Sequence, residues 1–275
     1  MSKFKLAVPH TIQPGQSVKL KDLSTGPADD DDNQISKKAA RKQIGLNAIE
    51  MAEMAKRLYA ENTRSILLVL QGMDTAGKDG TIRWVMRGMN PTSCQVTSFK
   101  RPSDEELEHD FLWRCHKAAP RRGNIGIFNR SHYEDVLVVR VHSLVPKDTW
   151  SQRYEQINDF EKLLAANGTK VIKCFLHISK ETQRERLQER VDLPEKHWKF
   201  NPNDLKERER WSDYQKAYED ALTKCNTEHA PWYIVPSDRK WYRNLVISQL
   251  LKSVLTEMDP QYPDAEEDFR GIVVP

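Results

Sequence analysis

Residues 66–80 read Ile-Leu-Leu-Val-Leu-Gln-Gly-Met-Asp-Thr-Ala-Gly-Lys-Asp-Gly, an apolar run that leads directly into a G-x-x-x-x-G-K loop. Gly72 and Gly77 let the backbone fold around a phosphate group, and Lys78 supplies a positive charge for its outer oxygens. The helix expected from Thr81 points its free N–H groups and positive dipole end at the same anion. A chance glycine turn is disfavoured, because the order of strand, loop and helix is the context that this motif requires. The stretch therefore predicts a phosphate-binding P-loop.

Acidic residues make this loop unusual. Asp79 stands where such loops normally carry the Ser or Thr that ligates magnesium, and Asp74 lies inside the loop. A phosphate cradle that carries its own carboxylates is typical of a site built around a hydrated metal ion, and we expect Mg²⁺ there. The residues that form the predicted phosphate site are Gly72, Thr75, Ala76, Gly77, Asp79 and Gly80.

The composition indicates a cytoplasmic protein with one sizeable domain. The chain has 275 residues and a net charge of +3, which is too small to predict nucleic-acid binding. Its four cysteines show no C-x-x-C pairing, which argues against a zinc site or a disulfide framework and fits a reducing compartment. We find no signal-peptide core and no apolar run of about 18 residues, so we expect no membrane partner.

The order of predicted elements indicates an α/β domain over residues 35–258. Residues 1–34 are expected to form an extended or loosely attached arm containing the acidic run Asp29–Asp32, and residues 259–275 a surface tail. Predicted strands are 65–71, 95–100, 124–129, 171–178 and 232–236. Predicted helices are 35–59, 81–89, 104–118, 131–143, 149–167, 180–191, 203–224 and 239–257. This alternation predicts a parallel sheet of about five strands with helices on both faces.

A second group of candidate site residues follows the strand at 124–129. Asn129 and Arg130 stand where P-loop kinases normally place an acid that holds magnesium, and an arginine there is suited to clamping a phosphate. Glu134 and Asp135 come in the first turn of the next predicted helix, from which they reach back towards a metal. The alternative is an ordinary capping box, with Ser131 as the cap and Glu134 three residues later.

A third feature is the charged stretch within residues 180–212, which we call the lid segment. Its basic residues include Arg184, Arg186, Arg190, Lys196 and Lys199. A helical lid that brings arginines and lysines over a phosphate supplies the charge neutralisation and water exclusion that phosphoryl transfer needs. For any single residue the alternative is a solvated helix face with ion pairs between neighbouring turns.

Several ordered blocks of sequence resemble the family-2 polyphosphate kinases. They are Gly72–Gly80, Ser98–Ser103, His109–Arg114, Ile125–Asp135, Pro194–Phe200 and Ala230–Tyr233. The resemblance covers most of the chain and is far more specific than the P-loop alone. It implies a P-loop kinase fold like that of thymidylate kinases, with a helical lid, and magnesium-dependent phosphoryl exchange between inorganic polyphosphate and a nucleotide.

The resemblance also implies roles for individual residues. Asp74, Lys78 and Arg130 would line the transfer site, with Asp74 helping to hold magnesium. The lid contacts would be Arg184, Arg190, Lys196 and Lys199. Much of the family has Asp-Arg where this chain has Asn129-Arg130. That variant looks like the subgroup that accepts both nucleoside mono- and diphosphates, with Glu134 as the distinguishing acid and second metal ligand.

These inferences combine into an expected mechanism of direct in-line transfer. Polyphosphate would run through a basic channel lined by Lys100, Arg121, Arg122 and lid residues, and its terminal phosphoryl group would pass to an adenine or guanine nucleotide. We also expect a homo-oligomer. An ATP-dependent nucleoside monophosphate kinase is the first alternative, since its fold would be the same. A non-catalytic polyanion-binding protein is the second, but it has no use for acids beside a phosphate.

Overall fold

The P-loop strand lies at the centre of the sheet. The computed structural model describes residues 9–27, 35–264 and 272–274, so the acidic run Asp29–Asp32 lies outside the described residues, as does most of the predicted tail beyond residue 264. Strand β2 (Ser65–Gln71) is buried along its whole length and pairs in parallel with a strand on each side. A continuous apolar run is what a strand covered on both faces requires, and the sequence 66–70 supplies it.

The sheet has six strands in the order β1-β6-β5-β2-β4-β3. The other strands are β1 (His10–Thr11), β3 (Cys94–Ser98), β4 (Ile125–Asn129), β5 (Thr169–His177) and β6 (Trp232–Pro236). Strands β2 to β6 run parallel, and β1 pairs antiparallel with β6. The predicted α/β fold with a mainly parallel sheet is confirmed. The strand count exceeds the expected five because two residues of the N-terminal arm add the antiparallel edge.

Helices cover both faces of this sheet. They are α1 (Lys37–Glu61), α2 (Lys78–Val85), α3 (Asp104–Leu107), α4 (Trp113–Ala118), α5 (Val138–Val141), α6 (Lys147–Ala166), α7 (Lys180–Asp192), α8 (Asn203–Glu209), α9 (Trp211–Lys224) and α10 (Lys240–Met258). Helices α1, α2 and α10 pack together on one face, whereas α6 packs on β5 from the other. Among the helices of the described ranges, none is long and apolar enough to cross a membrane.

Three ranges predicted as single helices are divided in the structure, namely 104–118, 131–143 and 203–224. Asp110 interrupts the first, because its carboxylate accepts a hydrogen bond from the Leu112 N–H group at 2.9 Å. Ser131 shapes the second, since its Oγ accepts a hydrogen bond from the Tyr133 N–H group at 3.2 Å and caps a short 3₁₀ turn. Short polar side chains compete in this way with helical hydrogen bonds.

Residues 9–27 are tied to the domain, in contrast to the predicted arm that is extended or loosely attached. The Val18 N–H group donates to Thr223 Oγ1 at 3.1 Å, and the Leu20 N–H group donates to Glu219 at 2.9 Å. The side chains of Val18 and Leu20 are buried. Two apolar residues in a polar stretch therefore anchor this segment against α9, which composition alone does not reveal.

Candidate active site

The P-loop folds around the side chain of its own lysine. Helix α2 begins at Lys78, three residues before the predicted start, and Gly77 precedes it with a φ of 100° that favours glycine. The Lys78 Nζ atom donates to the carbonyl oxygens of Gly72 at 2.8 Å and Met73 at 3.4 Å. Burial lowers the pKa of Lys78 to about 8, because the charged form loses its water.

Two buried arginines support the loop from below. Arg186 of α7 donates to the Thr75 carbonyl oxygen at 2.9 Å and to the Ser237 carbonyl oxygen at 2.7 Å. Arg243 of α10 donates to the Ala76 carbonyl oxygen at 2.8 Å. Burial lowers the pKa of both guanidinium groups. Since these cations face neutral carbonyl groups, their charge adds to the attraction of the loop for an anion.

Arg130 joins two acids at the end of β4. Its guanidinium donates to Asp74 Oδ1 at 2.7 Å and lies 3.4 Å from Glu134 Oε2. The carboxylate of Glu134 is the main cause that raises the pKa of Arg130, and Asp74 acts in the same direction. The backbone of Arg130 has a φ of 62°, in the left-handed region that non-glycine residues rarely adopt. Glu134 thus reaches back to Arg130, while the Ser131 side chain caps the N–H group of Tyr133, two residues on.

Asn129 connects this strand end to the P-loop helix. Its Nδ2 atom donates to Asp79 Oδ1 at 2.6 Å and to Ser98 Oγ at 3.3 Å. Asp79 is the acid that replaces the usual Ser or Thr of the loop. The amide of Asn129 is therefore a neutral partner that holds this carboxylate at the edge of the site.

A cavity of about 510 Å³ lies between the P-loop and the lid segment. The predicted site residues that line it are Asp74, Thr75, Gly77, Lys78, Asp79, Gly80, Lys100, Asn129, Arg130, Arg190, Lys196 and Lys199. Arg190 pairs with Asp204 at 2.9 Å, and Lys196 pairs with Glu189, whose pKa it lowers. The structure thus brings together loop, strand end and lid around one space.

Gly72, Ala76 and Glu134 lie directly beside this cavity. Ala76 is buried within the loop, and Gly72 and Glu134 line a smaller recess that also contains Asp74 and Arg130. Aromatic side chains of α9, Tyr214 and Tyr218, close this recess.

Two predicted site residues, one from the lid segment and one from the turn after β4, lie away from the cavity. Arg184 is exposed and pairs with Glu181 at 2.6 Å, as expected for a solvated helix face. Side chains two residues apart point about 200° apart around a helix, so Arg186 faces the loop while Arg184 faces away. Asp135 pairs with Arg153 of α6 at 2.7 Å, and burial raises its pKa to about 6. These two assignments are therefore corrected.

Two predicted channel residues also lie away from the cavity. Arg121 and Arg122 precede β4, whereas Asn129 ends it. The four steps from Ile125 to Asn129 alone span about 13 Å along the strand. Arg121 instead lies over the Tyr59 ring at 5.4 Å. Arg121 and Arg122 were predicted to line the channel because they are basic, but they lie near the N-terminal ends of the strands, opposite the cavity.

Several residues that the structure brings to the site have no role predicted from the sequence. Arg186, Lys240 and Asp204 line the cavity, and Arg243 contacts the loop from below. Lys240 and Arg243 belong to α10, more than 150 residues from the P-loop. Only Arg186 had a usable signal, namely its place among the basic residues of the lid segment.

Comparison with known proteins decides the family. The family model described as Polyphosphate kinase 2 matches residues 34–263, which is most of the chain. The chain belongs to the polyphosphate kinase 2 family. It is 46% identical over 265 residues to the AMP/ADP-polyphosphate phosphotransferase of Meiothermus ruber, covering 96% of this chain and 98% of the relative. It is 44% identical to the ADP-polyphosphate phosphotransferase of Rhodopseudomonas palustris, covering 88% of each chain.

The solved structures agree with this assignment. The crystal structure of polyphosphate kinase 2 from Arthrobacter aurescens TC1 is 38% identical, with a TM-score of 0.88, and the match covers 94% of this chain and 95% of that one. The predicted family resemblance and P-loop kinase fold are therefore confirmed. Membership in the polyphosphate kinase 2 family also identifies the chain as a phosphotransferase, against the alternative of a non-catalytic polyanion-binding protein.

Proposed function

We propose that the chain transfers the terminal phosphoryl group of inorganic polyphosphate to AMP and ADP, reversibly and directly. The observation that carries the proposal is the cavity that Lys78 and Asp74 of the P-loop line together with Arg130, which pairs with Asp74 and Glu134. Phosphoryl transfer requires positioning and charge stabilisation more than covalent chemistry by the protein. The name of the Meiothermus ruber relative, AMP/ADP-polyphosphate phosphotransferase, supports both acceptors, and the name of the Rhodopseudomonas palustris relative supports ADP.

Lys78 and Arg130 are the residues we place at the transferred group. Lys78 begins α2 behind the loop, and Arg130 reaches the same cavity from the neighbouring strand end. Two cations on different elements neutralise the phosphate from two directions and align it with the acceptor oxygen. An anionic acceptor phosphate is already a nucleophile, so the proposal needs no covalent intermediate.

The residues near Arg130 fit a hydrated Mg²⁺. This ion takes one or two carboxylates and completes its shell with waters and substrate phosphates. Across residues 9–27, 35–264 and 272–274, no group of three or more His, Cys, Asp or Glu side chains is arranged to hold a metal ion, so a protein-only cage does not form there. We propose that Asp74 and Glu134 hold the ion while Arg130 shares their carboxylates. Bound Mg²⁺ supplies further neutralisation of phosphate charge.

A second groove continues the basic surface and indicates a path for the polyphosphate chain. This groove of about 710 Å³ shares Arg186, Glu189 and Lys240 with the transfer cavity. Its additional basic residues are Lys37, Arg41 and Arg239. We propose that distal phosphates of a long donor lie here, and that Lys100 lines the transfer end. This path replaces the one through Arg121 and Arg122.

Donor length tests this path. Arg41→Glu should raise the KM for long-chain polyphosphate at least five-fold and leave the KM for tripolyphosphate within two-fold. Arg121→Glu makes the same charge change at the opposite edge of the sheet and should alter neither value. Equal effects of the two variants on the long donor would contradict the proposed path.

Product analysis tests the function itself. Purified protein with Mg²⁺ and long-chain polyphosphate is offered AMP or ADP separately, without ATP, and products are separated by ion-exchange chromatography. We expect ADP from AMP and ATP from ADP; GMP and GDP in parallel reactions test whether guanine nucleotides are also accepted. ATP from ADP alone would remove AMP as an acceptor. Transfer from added ATP but not from polyphosphate would establish the ATP-dependent kinase instead.

We also propose a cytoplasmic homo-oligomer. The four cysteines are free thiols, which fits a reducing compartment. Helix α10 packs against α1, so α10 offers less free surface than its sequence indicates. Leu46 and Ile49 of α1 are 45% and 70% exposed, and they give this helix an apolar outer face for a second copy. Light scattering coupled to gel filtration tests this, and a mass equal to one chain would contradict it.

A further inference from the structure

A fully buried ionic cluster lies behind the turn that carries Arg130 and Glu134. Glu161 of α6 and Lys173 of β5 are 0% exposed and pair at 2.6 Å. Lys173 also donates to the Tyr133 hydroxyl oxygen at 2.8 Å and to the Cys225 carbonyl oxygen at 2.6 Å. All three protons of its ammonium group thus have an acceptor.

The other two side-chain contacts of Glu161 are with residues of the turn that carries Arg130 and Glu134. Its Oε1 atom accepts a hydrogen bond from the Tyr133 hydroxyl at 2.9 Å and lies 3.1 Å from His132 Nε2. His132 and Tyr133 are themselves buried and lie between Arg130 and Glu134. The cluster therefore holds the middle of a five-residue segment whose two ends point into the transfer site.

The backbone of this segment needs such support. Arg130 adopts a left-handed φ of 62°, a conformation that persists in non-glycine residues only where the surroundings fix it. Its N–H group donates to the Leu70 carbonyl oxygen at 3.1 Å, which fixes the start of the segment against β2. The buried cluster fixes the part that follows.

A stability role alone does not explain the composition of the cluster. Buried ion pairs often contribute no more stability than well-packed apolar residues of similar size. Buried ionic groups do, however, fix one geometry when every hydrogen bond is satisfied. Here each side-chain hydrogen bond of Glu161 ends on the segment or on Lys173, which itself contacts the segment.

We propose that Glu161 and Lys173 are positioning residues that act through Tyr133 and His132 to orient Arg130 and Glu134 for phosphoryl transfer. This inference rests on the proposed function. It assigns to the cluster an indirect effect on turnover, since neither charged residue lines the cavity.

Tyr133→Phe is the mildest test, because it removes one hydroxyl and keeps the ring. We expect kcat with polyphosphate and ADP to fall at least ten-fold, with both KM values within two-fold. Tyr154→Phe is the matched control: Tyr154 is also buried, and its hydroxyl accepts a hydrogen bond from Arg140 at 3.0 Å, away from the segment. We expect its kcat within two-fold of the native value.

A double-mutant cycle separates positioning from general destabilisation. If Tyr133 acts through Arg130, its effect on kcat should largely disappear in an Arg130→Lys background. The proposal would be overturned if Tyr133→Phe lowered kcat by the same factor in the Arg130→Lys background as in the native protein. A Tyr133→Phe variant with native kcat would also overturn it. The double variant Glu161→Gln/Lys173→Met removes both charges together and should lower kcat in the same way; native kcat in this variant would also overturn it.

An assay-independent measurement keeps this inference distinct from the proposed function. The Arg130 Nε–H signal in ¹⁵N–¹H NMR should broaden or shift in Tyr133→Phe and remain unchanged in Tyr154→Phe. An unchanged signal in both variants would refute the positioning role whatever the donor. Absence of polyphosphate transfer by the native protein would instead refute the proposed function.

Discussion

Proton uptake on donor binding provides a direct test of Lys78. Burial lowers its pKa to about 8, so the free group is about nine-tenths charged at pH 7 and about one-tenth charged at pH 9. A phosphate oxygen beside the group favours the charged form and returns the pKa towards its ordinary value of 10.5. Polyphosphate binding should therefore take up about 0.1 proton at pH 7 and about 0.9 proton at pH 9.

The pKa shift of Lys78 also corresponds to a free energy. A change from 10.5 to about 8 corresponds to about 3 kcal/mol of interaction that the charged lysine lacks in the free protein. Because the folded pKa lies below the unfolded one, the charged lysine weakens the fold below pH 8. This penalty disappears as the pH rises from about 8 to 10.5. A bound phosphate recovers the same free energy, so donor binding should stabilise the protein most at neutral pH.

Isothermal titration calorimetry in buffers of different ionisation enthalpy measures the uptake. The slope of the observed enthalpy against the buffer enthalpy gives the number of protons at each pH. Lys78→Arg is the control, because its guanidinium stays charged throughout and binding to it should take up no proton at that position. Subtracting its result also removes protons that the polyphosphate itself exchanges.

Two results would refute the reasoning. One is equal uptake by the native protein at pH 7 and pH 9. The other is the same pH dependence in Lys78→Arg as in the native protein. Asp79→Asn adds a check on the cause, because the Asp79 carboxylate raises the pKa of Lys78. Its removal should move the onset of uptake to lower pH.

Three further predictions concern the loop and its supports. Asp74→Asn should lower kcat at least 100-fold with a melting temperature close to the native value, because asparagine has the shape of aspartate but lacks the charge that pairs with Arg130. Near-native turnover would exclude a role of Asp74 in transfer. Arg186→Ala should lower kcat/KM at least ten-fold and Arg184→Ala less than two-fold in the same kinetic assay, and equal losses would contradict their placement. Gly77→Ala should lower the free energy of unfolding in urea by about 2 kcal/mol, because a Cβ there would lie 1.9 Å from an Arg243 nitrogen; unchanged stability would argue against this packing.

Local pattern was enough to predict the central part of the fold and site. The apolar strand and G-x-x-x-x-G-K loop placed Gly72, Asp74 and Lys78 together, because all lie within eight residues of one another. Arg130 was also predictable, since carboxyl ends of neighbouring parallel strands meet at one edge of the sheet. Each of these inferences needs only the sequence spacing and the topology of the sheet.

The residues whose positions were not predicted correctly are placed by features that sequence spacing does not encode. Arg184 and Arg186 differ only in helical phase, and a helix with charges on most sides gives no apolar stripe to set that phase. Arg122 precedes β4 and Asn129 ends it, so basic character alone did not distinguish the two ends of the strand. Arg243 reaches the loop through packing between α1, α2 and α10, which no local pattern reveals.

Arg186 anchors the base of the lid segment. Its guanidinium holds the P-loop and the turn after β6 at once, so the helix that carries it is clamped at its base. Past Leu193, where this helix ends, the lid segment is tied back to the same helix: Lys196 pairs with Glu189, and Arg190 donates to the Lys199 carbonyl oxygen at 3.0 Å. Moving Lys196 and Lys199 away from the cavity would therefore break these contacts, whereas the cations beneath the loop would keep theirs.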